Sequence, residues 1–121
     1  MNRGELWTVS GGTYAQKPRP ALIIQDDLFA ASESITLLPV TSHLTDAPLL
    51  RLTVDPGQLT GLGRVSQIMV DRLTTVRRAN LGQRIGRIDS KTMVAVEQSL
   101  AVFLGLASWH QPGPAPPAAP A

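Results

Sequence analysis

A chain of 121 residues with no cysteine and a net charge of +2 is long enough for one hydrophobic core, but it excludes a disulfide framework and thiolate chemistry. No run approaches the roughly 18 consecutive apolar residues of a membrane span, and no apolar run follows Arg3 as it would in a signal peptide. We therefore expect a soluble, cytoplasmic domain over residues 1–107. A flexible tail is expected over residues 108–121, because Pro112–Ala121 consists of Pro, Ala and Gly.

The first half of the chain contains short apolar stretches that have the length and composition of β-strands. These are Glu5–Val9, Ala21–Gln25, Ile35–Thr41 and Leu50–Val54. Between the first two lies Ser10–Pro20, whose two glycines and two prolines predict a loop. Pro39 falls inside the third stretch, and because proline donates no backbone hydrogen bond, it indicates an edge strand or a bulge there.

The second half predicts two more strands and then a helix. The strands are Val65–Leu73 and Gln83–Ile88. Beyond them, apolar residues recur at intervals of three and four, which is typical of an amphipathic helix; they are Met93, Val96, Leu100, Phe103 and Leu104. Asp89 or Ser90 can cap its start and Gly105 can end it. The sequence thus predicts a mainly β fold, a small antiparallel barrel or sheet with a C-terminal helix.

Several kinds of site are excluded by residue type. The chain has no GxxxxGK[ST] phosphate loop and no GxSxG nucleophile motif. Without cysteine, His43 and His110 cannot form a cluster with zinc-like spacing. The adjacent carboxylates Asp26 and Asp27 would point to opposite faces of a strand, which favours a polar turn over a catalytic pair. We therefore expect no metal and no cofactor.

The basic residues are mostly arginine and are unevenly distributed. Nine of the eleven are Arg, and seven basic residues lie between Arg64 and Lys91, against only Asp71 and Asp89. The planar guanidinium can donate to two phosphate oxygens at once, so this distribution is compatible with nucleic acid. It is equally compatible with a solvated surface.

Two local motifs combine restricted backbone with polar side chains. In Lys17-Pro18-Arg19-Pro20, the two prolines restrict the backbone around Arg19, which suits a residue that must meet a phosphate at a fixed angle. The alternative is a surface Arg in a proline-rich loop. In Pro39-Val40-Thr41-Ser42-His43, two hydroxyls end an apolar strand and an imidazole follows. Strand-end hydroxyls commonly accept hydrogen bonds from backbone donors in the following turn.

Together these segments resemble the MazF/PemK family of toxin–antitoxin ribonucleases. The resembling segments occur in the family's order from about Arg3 to Leu106. They are Arg3–Trp7, Arg19–Gln25, Pro39–Ser42, Ser66–Ile68 and Asp71–Leu73.

The resemblance implies an SH3-like barrel of the type shared with the gyrase poison CcdB, assembled as a homodimer. It implies sequence-specific, metal-independent cleavage of single-stranded RNA, and inhibition by a MazE-like antitoxin that lays a disordered segment across the RNA groove. In the family pattern, Arg19 and Thr41 form the catalytic pair. The RNA 2′-hydroxyl would act as nucleophile, leaving a 2′,3′-cyclic phosphate and a 5′-hydroxyl.

Other residues are expected to bind RNA or to play a minor part. The expected RNA contacts are Tyr14, which can stack on a base, together with Lys17, Ser42, Gln67 and Arg72. His43 is a possible proton-transfer group, because an imidazole titrates near neutral pH. Trp7 is expected in the core or the dimer interface. Four more arginines either extend the positive electrostatic potential or are solvent-exposed residues of a turn region. They are Arg77, Arg78, Arg84 and Arg87.

Two other functions remain possible at this point. One is a CcdB-like gyrase poison, suggested by Trp109 near the end of the chain, although a Pro/Ala tail follows it. The other is a non-catalytic SH3-like binding module. Modules of that kind usually present an aromatic groove, and this chain has only five aromatic residues, two Trp, one Tyr and two Phe.

Overall fold

A computed structural model describes residues 1–11 and 15–108. The part so described contains one helix, α1 (Ser90–Phe103), and seven strands. The strands are β1 (Glu5–Gly11), β2 (Ala15–Ile23), β3 (Ser34–Thr41), β4 (Arg51–Val54), β5 (Ser66–Met69), β6 (Thr74–Arg77) and β7 (Leu81–Arg87). Every strand pairing is antiparallel. The predicted fold class, mainly antiparallel β with a C-terminal helix, is confirmed.

The strands lie in the order β4-β5-β3-β2-β1-β7, and β6 pairs with β3 beyond the end of β5. Alternate side chains point to opposite faces of this sheet, so each face has its own apolar cluster. The cluster under α1 contains Leu6, Leu22, Leu38 and Val96. The cluster on the other face contains Val9, Ala21, Ile23, Ile35 and Leu37.

Trp7 packs against this second cluster. Its indole N–H donates to the Glu5 carboxylate at 3.1 Å.

The helix begins and ends as predicted. The Asp89 carboxylate accepts a hydrogen bond from the Thr92 backbone N–H at 2.7 Å, an N-cap of the usual kind. Hydrogen bonds from the Thr92 side chain and backbone lower the pKa of this carboxyl. The helix ends at Phe103, two residues before Gly105. Among the described residues, no helix is long and apolar enough to cross a membrane. Apart from Ser108, the predicted tail lies outside the described residues.

The predicted loop over Ser10–Pro20 is wrong at both ends. Ser10 and Gly11 belong to β1, and β2 starts at Ala15 and includes Pro18 and Pro20. In this stretch β2 pairs only with β1, for example Val9 with Arg19. A strand with one free edge tolerates proline when the missing donor faces that edge. Composition gives the number of prolines, but it does not show whether the position of the missing N–H faces a free edge of the strand.

The predicted strand Val65–Leu73 is also wrong, because it is two strands separated by a turn. β5 ends at Met69, a 3₁₀ turn covers Val70–Arg72, and β6 follows at Thr74. β5 pairs Ile68 with Val40 on β3, whereas β6 pairs Thr74 with Leu37, so the register shifts by the three residues of the turn. Within the turn Val70 is buried and Asp71 forms an ion pair with Arg51.

Pro39 lies on β3 opposite this turn, and the expectation of an edge strand is wrong there. β3 is central, with β2 on one side and β5 and β6 on the other. The expected irregularity in pairing is present, because neither Leu38 nor Pro39 has a partner in the β5 or β6 ladder. The turn therefore lies opposite Pro39, which has no backbone N–H to donate to β5 or β6.

The loop between β4 and β5 crosses β7 at very short range. Arg87 donates its backbone N–H to the Leu59 carbonyl at 2.9 Å. A Cβ built on Gly86 would lie 2.3 Å from the Thr60 carbonyl carbon and oxygen. Only a residue without a side chain allows two backbones to approach so closely.

Replacing Gly86 with Ala should therefore destabilise the protein. We expect Gly86→Ala to lower the free energy of unfolding by at least about 2 kcal/mol, because β7 is paired with β1 and the loop is held by the Arg87–Leu59 hydrogen bond, so relieving the clash breaks one or the other. Urea unfolding at neutral pH measures this. Gly63→Ala is the matched control, because a Cβ there meets nothing within 4 Å, and it should change stability by less than about 1 kcal/mol. Equal stabilities for the two variants would contradict the close approach.

Glu5 joins the start of β1 to β7. Its carboxylate accepts from the Asn2 backbone N–H at 2.7 Å, the Trp7 indole at 3.1 Å and the Arg84 guanidinium at 2.9 Å. Burial raises the pKa of the Glu5 carboxyl, but these hydrogen bonds outweigh it and leave the pKa below its ordinary value. The folded state therefore favours the charged form.

The contribution of Glu5 to stability should be present at neutral pH and lost in acid. A lowered folded-state pKa stabilises the fold above the pKa of an unfolded glutamate, about 4.3, and the gain disappears as the pH falls through the folded value. We expect Glu5→Gln to lower stability by about 1 kcal/mol at pH 7. The gap to the original protein should close by about pH 3 in denaturant titrations. Glu33→Gln is the control, and parallel pH profiles for Glu5→Gln and the original chain would contradict the assignment.

Candidate active site

β2 and β3 diverge beyond Ala21 and Pro39, the last residue pair of their ladder. Continuing that register by two residues brings Arg19 opposite Thr41. Both residues line one open cleft with a volume of about 1600 Å³. The two residues expected to form the catalytic pair thus share a cleft within a single chain.

Pro20 accounts for the divergence. Ile24 donates its backbone N–H to the Thr36 carbonyl on β3 at 3.4 Å. Because N–H groups alternate sides along a strand, Pro18 and Pro20 occupy the positions whose donors would face β3. Neither has a donor, so the β2–β3 ladder stops and β2 continues beside β1 alone. The end of β3 continues beside β5, where Thr41 pairs with Gln67.

Thr41 is half-buried at the end of β3. Its hydroxyl oxygen accepts a hydrogen bond from the His43 backbone N–H at 3.1 Å, as strand-end hydroxyls commonly do. A threonine hydroxyl also has one hydrogen to donate. Across the cleft, the Arg19 side chain is exposed. The cleft therefore presents a hydroxyl donor and a guanidinium to anything bound between the two strands.

The cleft carries uncompensated positive charge. Its lining residues include no Asp or Glu. Among the described residues, the arginines that form ion pairs lie outside it: Arg3 with Glu97, Arg51 with Asp71, and Arg84 with Glu5. Five cationic side chains line it without such a partner in the described chain, namely Lys17, Arg19, Arg64, Arg72 and Arg77. A cleft lined by one sign of charge attracts the opposite sign, so this surface suits a polyanion.

The structure brings most of the expected RNA contacts to the cleft. Lys17, Ser42 and Arg72 line it, and so does His43. Tyr14 lies outside the described residues. Sequence reasoning missed Arg64, Gln16 and Asn80, which also line the cleft, and considered Arg77 only as a source of charge. Their positions depend on which loops meet at the cleft, and no local pattern signals that.

Gln67 is the exception among the expected contacts. It does not line the cleft and is only 6% exposed. Its amide accepts from the Thr45 N–H at 2.9 Å and donates to the Thr45 carbonyl at 3.0 Å. Gln67 therefore holds the loop after β3 in place, and the expectation that it contacts RNA directly is corrected to a structural role.

The described residues contain no group of three or more His, Cys, Asp or Glu side chains that could hold a metal ion. The chemistry that the cleft itself presents consists of guanidinium, ammonium, imidazole and hydroxyl groups.

Comparisons with known proteins identify the family of this chain. A sequence profile described as a PemK-like, MazF-like toxin of type II toxin–antitoxin systems matches residues 2–104. The chain is 49% identical to the probable endoribonuclease MazF of Mycolicibacterium smegmatis over 108 residues, covering 88% of this chain and 99% of that protein. It is 30% identical to endoribonuclease MazF6 of Mycobacterium tuberculosis over 112 residues, covering 88% and 98%.

Solved structures share the fold. A mycobacterial endoribonuclease in complex with its cognate antitoxin superimposes with a TM-score of 0.73 at 20% identity, covering 88% of this chain and 97% of that one. The MazF of a Deinococcus radiodurans MazE–MazF complex gives a TM-score of 0.70 at 20% identity, covering 87% and 95%. With the profile match over residues 2–104, these similarities show that the chain belongs to the PemK-like, MazF-like family of type II toxin–antitoxin toxins.

Proposed function

We propose that this chain is a cytoplasmic endoribonuclease toxin that cleaves single-stranded RNA at specific sequences without a metal ion. The observation that carries the proposal is that Arg19 and Thr41 line one cleft, whose lining contains five cationic side chains and no carboxylate. The names of the relatives, endoribonuclease MazF and MazF6, support the same activity.

RNA supplies its own nucleophile, so the protein has only to align the strand and stabilise charge. The 2′-oxygen attacks the adjacent phosphorus and loses its proton, while the bond from phosphorus to the 5′-oxygen breaks and that oxygen gains a proton. The products are a 2′,3′-cyclic phosphate and a 5′-hydroxyl.

Arg19 and Thr41 have separate tasks in this step. The Arg19 guanidinium is a cation with several N–H donors, so it neutralises charge that develops on the phosphoryl oxygens. The Thr41 hydroxyl accepts from the His43 N–H, which fixes the oxygen, and its hydrogen donates to a phosphoryl oxygen or positions the 2′-hydroxyl.

We also propose that a MazE-like antitoxin inhibits the toxin by laying an extended segment over the cleft. The mycobacterial endoribonuclease and the Deinococcus radiodurans MazF share the fold of this chain, and each was solved in complex with its antitoxin. An acidic segment would match the positive cleft.

A homodimer is proposed as well. Apolar side chains are exposed on α1 and just after it, and a second copy would cover them. They are Phe103, Leu104 and Leu106.

The gyrase-poison alternative rests on Trp109, which lies outside the described residues. No observation of the described chain favours it or a non-catalytic module. A cation-lined cleft with a paired guanidinium and hydroxyl has a direct use in RNA cleavage.

Replacing Arg19 should greatly reduce the rate of RNA cleavage. We expect Arg19→Ala to cleave a long defined RNA at least about 100-fold more slowly in EDTA, because a transition-state donor is lost. Thr41→Val, which removes only the hydroxyl, should reduce the rate by about tenfold or more. Gel analysis with 5′-end mapping gives the rates and the cut sites.

Arg87→Ala is the matched control, because Arg87 is exposed but does not line the cleft, and its cleavage should be unchanged. Cleavage that requires magnesium, or that survives Arg19→Ala intact, would refute the proposed function.

Replacing the imidazole of His43 should have little effect. The contact that His43 makes to Thr41 uses its backbone N–H, which any residue other than proline retains. We expect His43→Gln to keep the rate of cleavage and its dependence on pH between 5 and 9. A rate that falls more than about tenfold, with loss of a titration step near neutral pH, would make His43 a general acid or base.

A further inference from the structure

Gln67 is a polar side chain that the fold buries directly beside Thr41. The two residues are partners in the β3–β5 ladder, so their Cα atoms lie about 4.5–5.5 Å apart. The Gln67 side chain is almost fully buried. Burying an amide costs free energy unless its donor and its acceptor both have partners. The partners of this amide therefore show which part of the chain it supports.

Both ends of the amide bind the backbone of one residue in the loop after β3. The amide oxygen accepts from the Thr45 N–H at 2.9 Å, and the amide nitrogen donates to the Thr45 carbonyl at 3.0 Å. The same nitrogen makes a longer contact, 3.4 Å, to the Thr53 hydroxyl on β4. The side chains of residues 42–46 are all exposed, so packing in the core does not hold this segment. The amide of Gln67 fixes it at Thr45 instead.

The same loop contacts the hydroxyl of Thr41. The Thr41 oxygen accepts from the backbone N–H of His43, which lies midway between Thr41 and Thr45 in the chain. This hydrogen bond favours one staggered rotamer of the threonine side chain and leaves the hydroxyl hydrogen to donate to a bound phosphate. If Thr45 were released, the His43 N–H would move with the loop, and the hydroxyl could turn to other rotamers.

We propose that Gln67 is a positioning residue for RNA cleavage. Its amide fixes the loop through Thr45, and the His43 N–H in that loop holds the Thr41 hydroxyl in the orientation that meets the scissile phosphate. This inference rests on the proposed function and deepens its account of Thr41.

A residue that acts in this way should affect the reaction step and not the binding of the strand. Gln67 does not line the cleft, and the five cationic side chains that attract the strand lie outside the loop it holds. Loss of the amide should therefore lower kcat and leave KM almost unchanged.

The test measures kcat and KM for cleavage of a defined RNA in EDTA by the full-length protein and its variants. Gln67→Met keeps the length of the side chain but cannot donate to the Thr45 carbonyl. We expect its kcat to fall about tenfold, the effect of losing one buried hydrogen bond, and its KM to change by less than about twofold. Thr53→Val is the matched control. It removes only the longer contact of the same amide, from an exposed residue, and should cleave like the original protein.

A second measurement separates positioning of the Thr41 hydroxyl from a general loss of structure. In a Thr41→Val background the hydroxyl is absent, so adding Gln67→Met should slow cleavage by less than about twofold more. A role in overall stability would slow both backgrounds by the same factor. Urea unfolding gives the folded fraction of each variant, and rates are expressed per folded molecule.

The inference is overturned if Gln67→Met keeps the original kcat or raises KM with kcat unchanged. It is also overturned if Gln67→Met slows the Thr41→Val protein by the same factor as the original protein, or if Thr53→Val slows cleavage as much as Gln67→Met does. Failure of the proposed function is a different result, in which the original protein does not cleave RNA in EDTA or Thr41→Val cleaves at the original rate.

Discussion

The site depends on the missing backbone donors of two prolines on the two sides of β3. At the position of Pro20, a backbone N–H would point towards β3. Proline has no N–H, so the β2–β3 ladder ends there. By the same alternation, the donor of Pro39 would face β5 and β6, where the Val70–Arg72 turn interrupts the pairing. Each proline stands where the pairing is interrupted, so neither carries a backbone donor that would need a partner there.

The same two interruptions arrange the side chains of the cleft. The first half of β2 remains attached to β1 and carries Arg19. The end of β3 remains attached to β5 and carries Thr41. The turn opposite Pro39 buries Val70, pairs Asp71 with Arg51 and leaves Arg72 in the cleft. Backbone geometry therefore brings Arg19, Thr41 and Arg72 to the same cleft.

Elements whose signals are local could be predicted from the sequence, and elements set by a distant strand could not. α1 was predictable because its apolar spacing and its Asp89 cap are contained in one segment. The division of Val65–Leu73 into β5 and β6 was not predictable, because the turn between them lies opposite Pro39 on another strand. Arg19 and Thr41 are identified through the family resemblance, and the register of β2 against β3 accounts for their lining the same cleft. Gln67 has the residue type of an RNA contact, but only the fold shows that its amide is already bound to Thr45.

The proposed catalytic pair and some of the other cleft residues lie in different kinds of structure. Arg19 and Thr41 each lie on a strand that is paired on its outer side, β2 with β1 and β3 with β5, so the backbone that carries each of them belongs to the sheet. Arg64 lies in a loop and Asn80 in a turn, outside the two apolar clusters. Substitutions at such positions leave core packing intact and change only what the cleft offers to a bound strand. A fold built this way can keep one cleavage chemistry while the preferred RNA sequence changes through a few residues along the cleft.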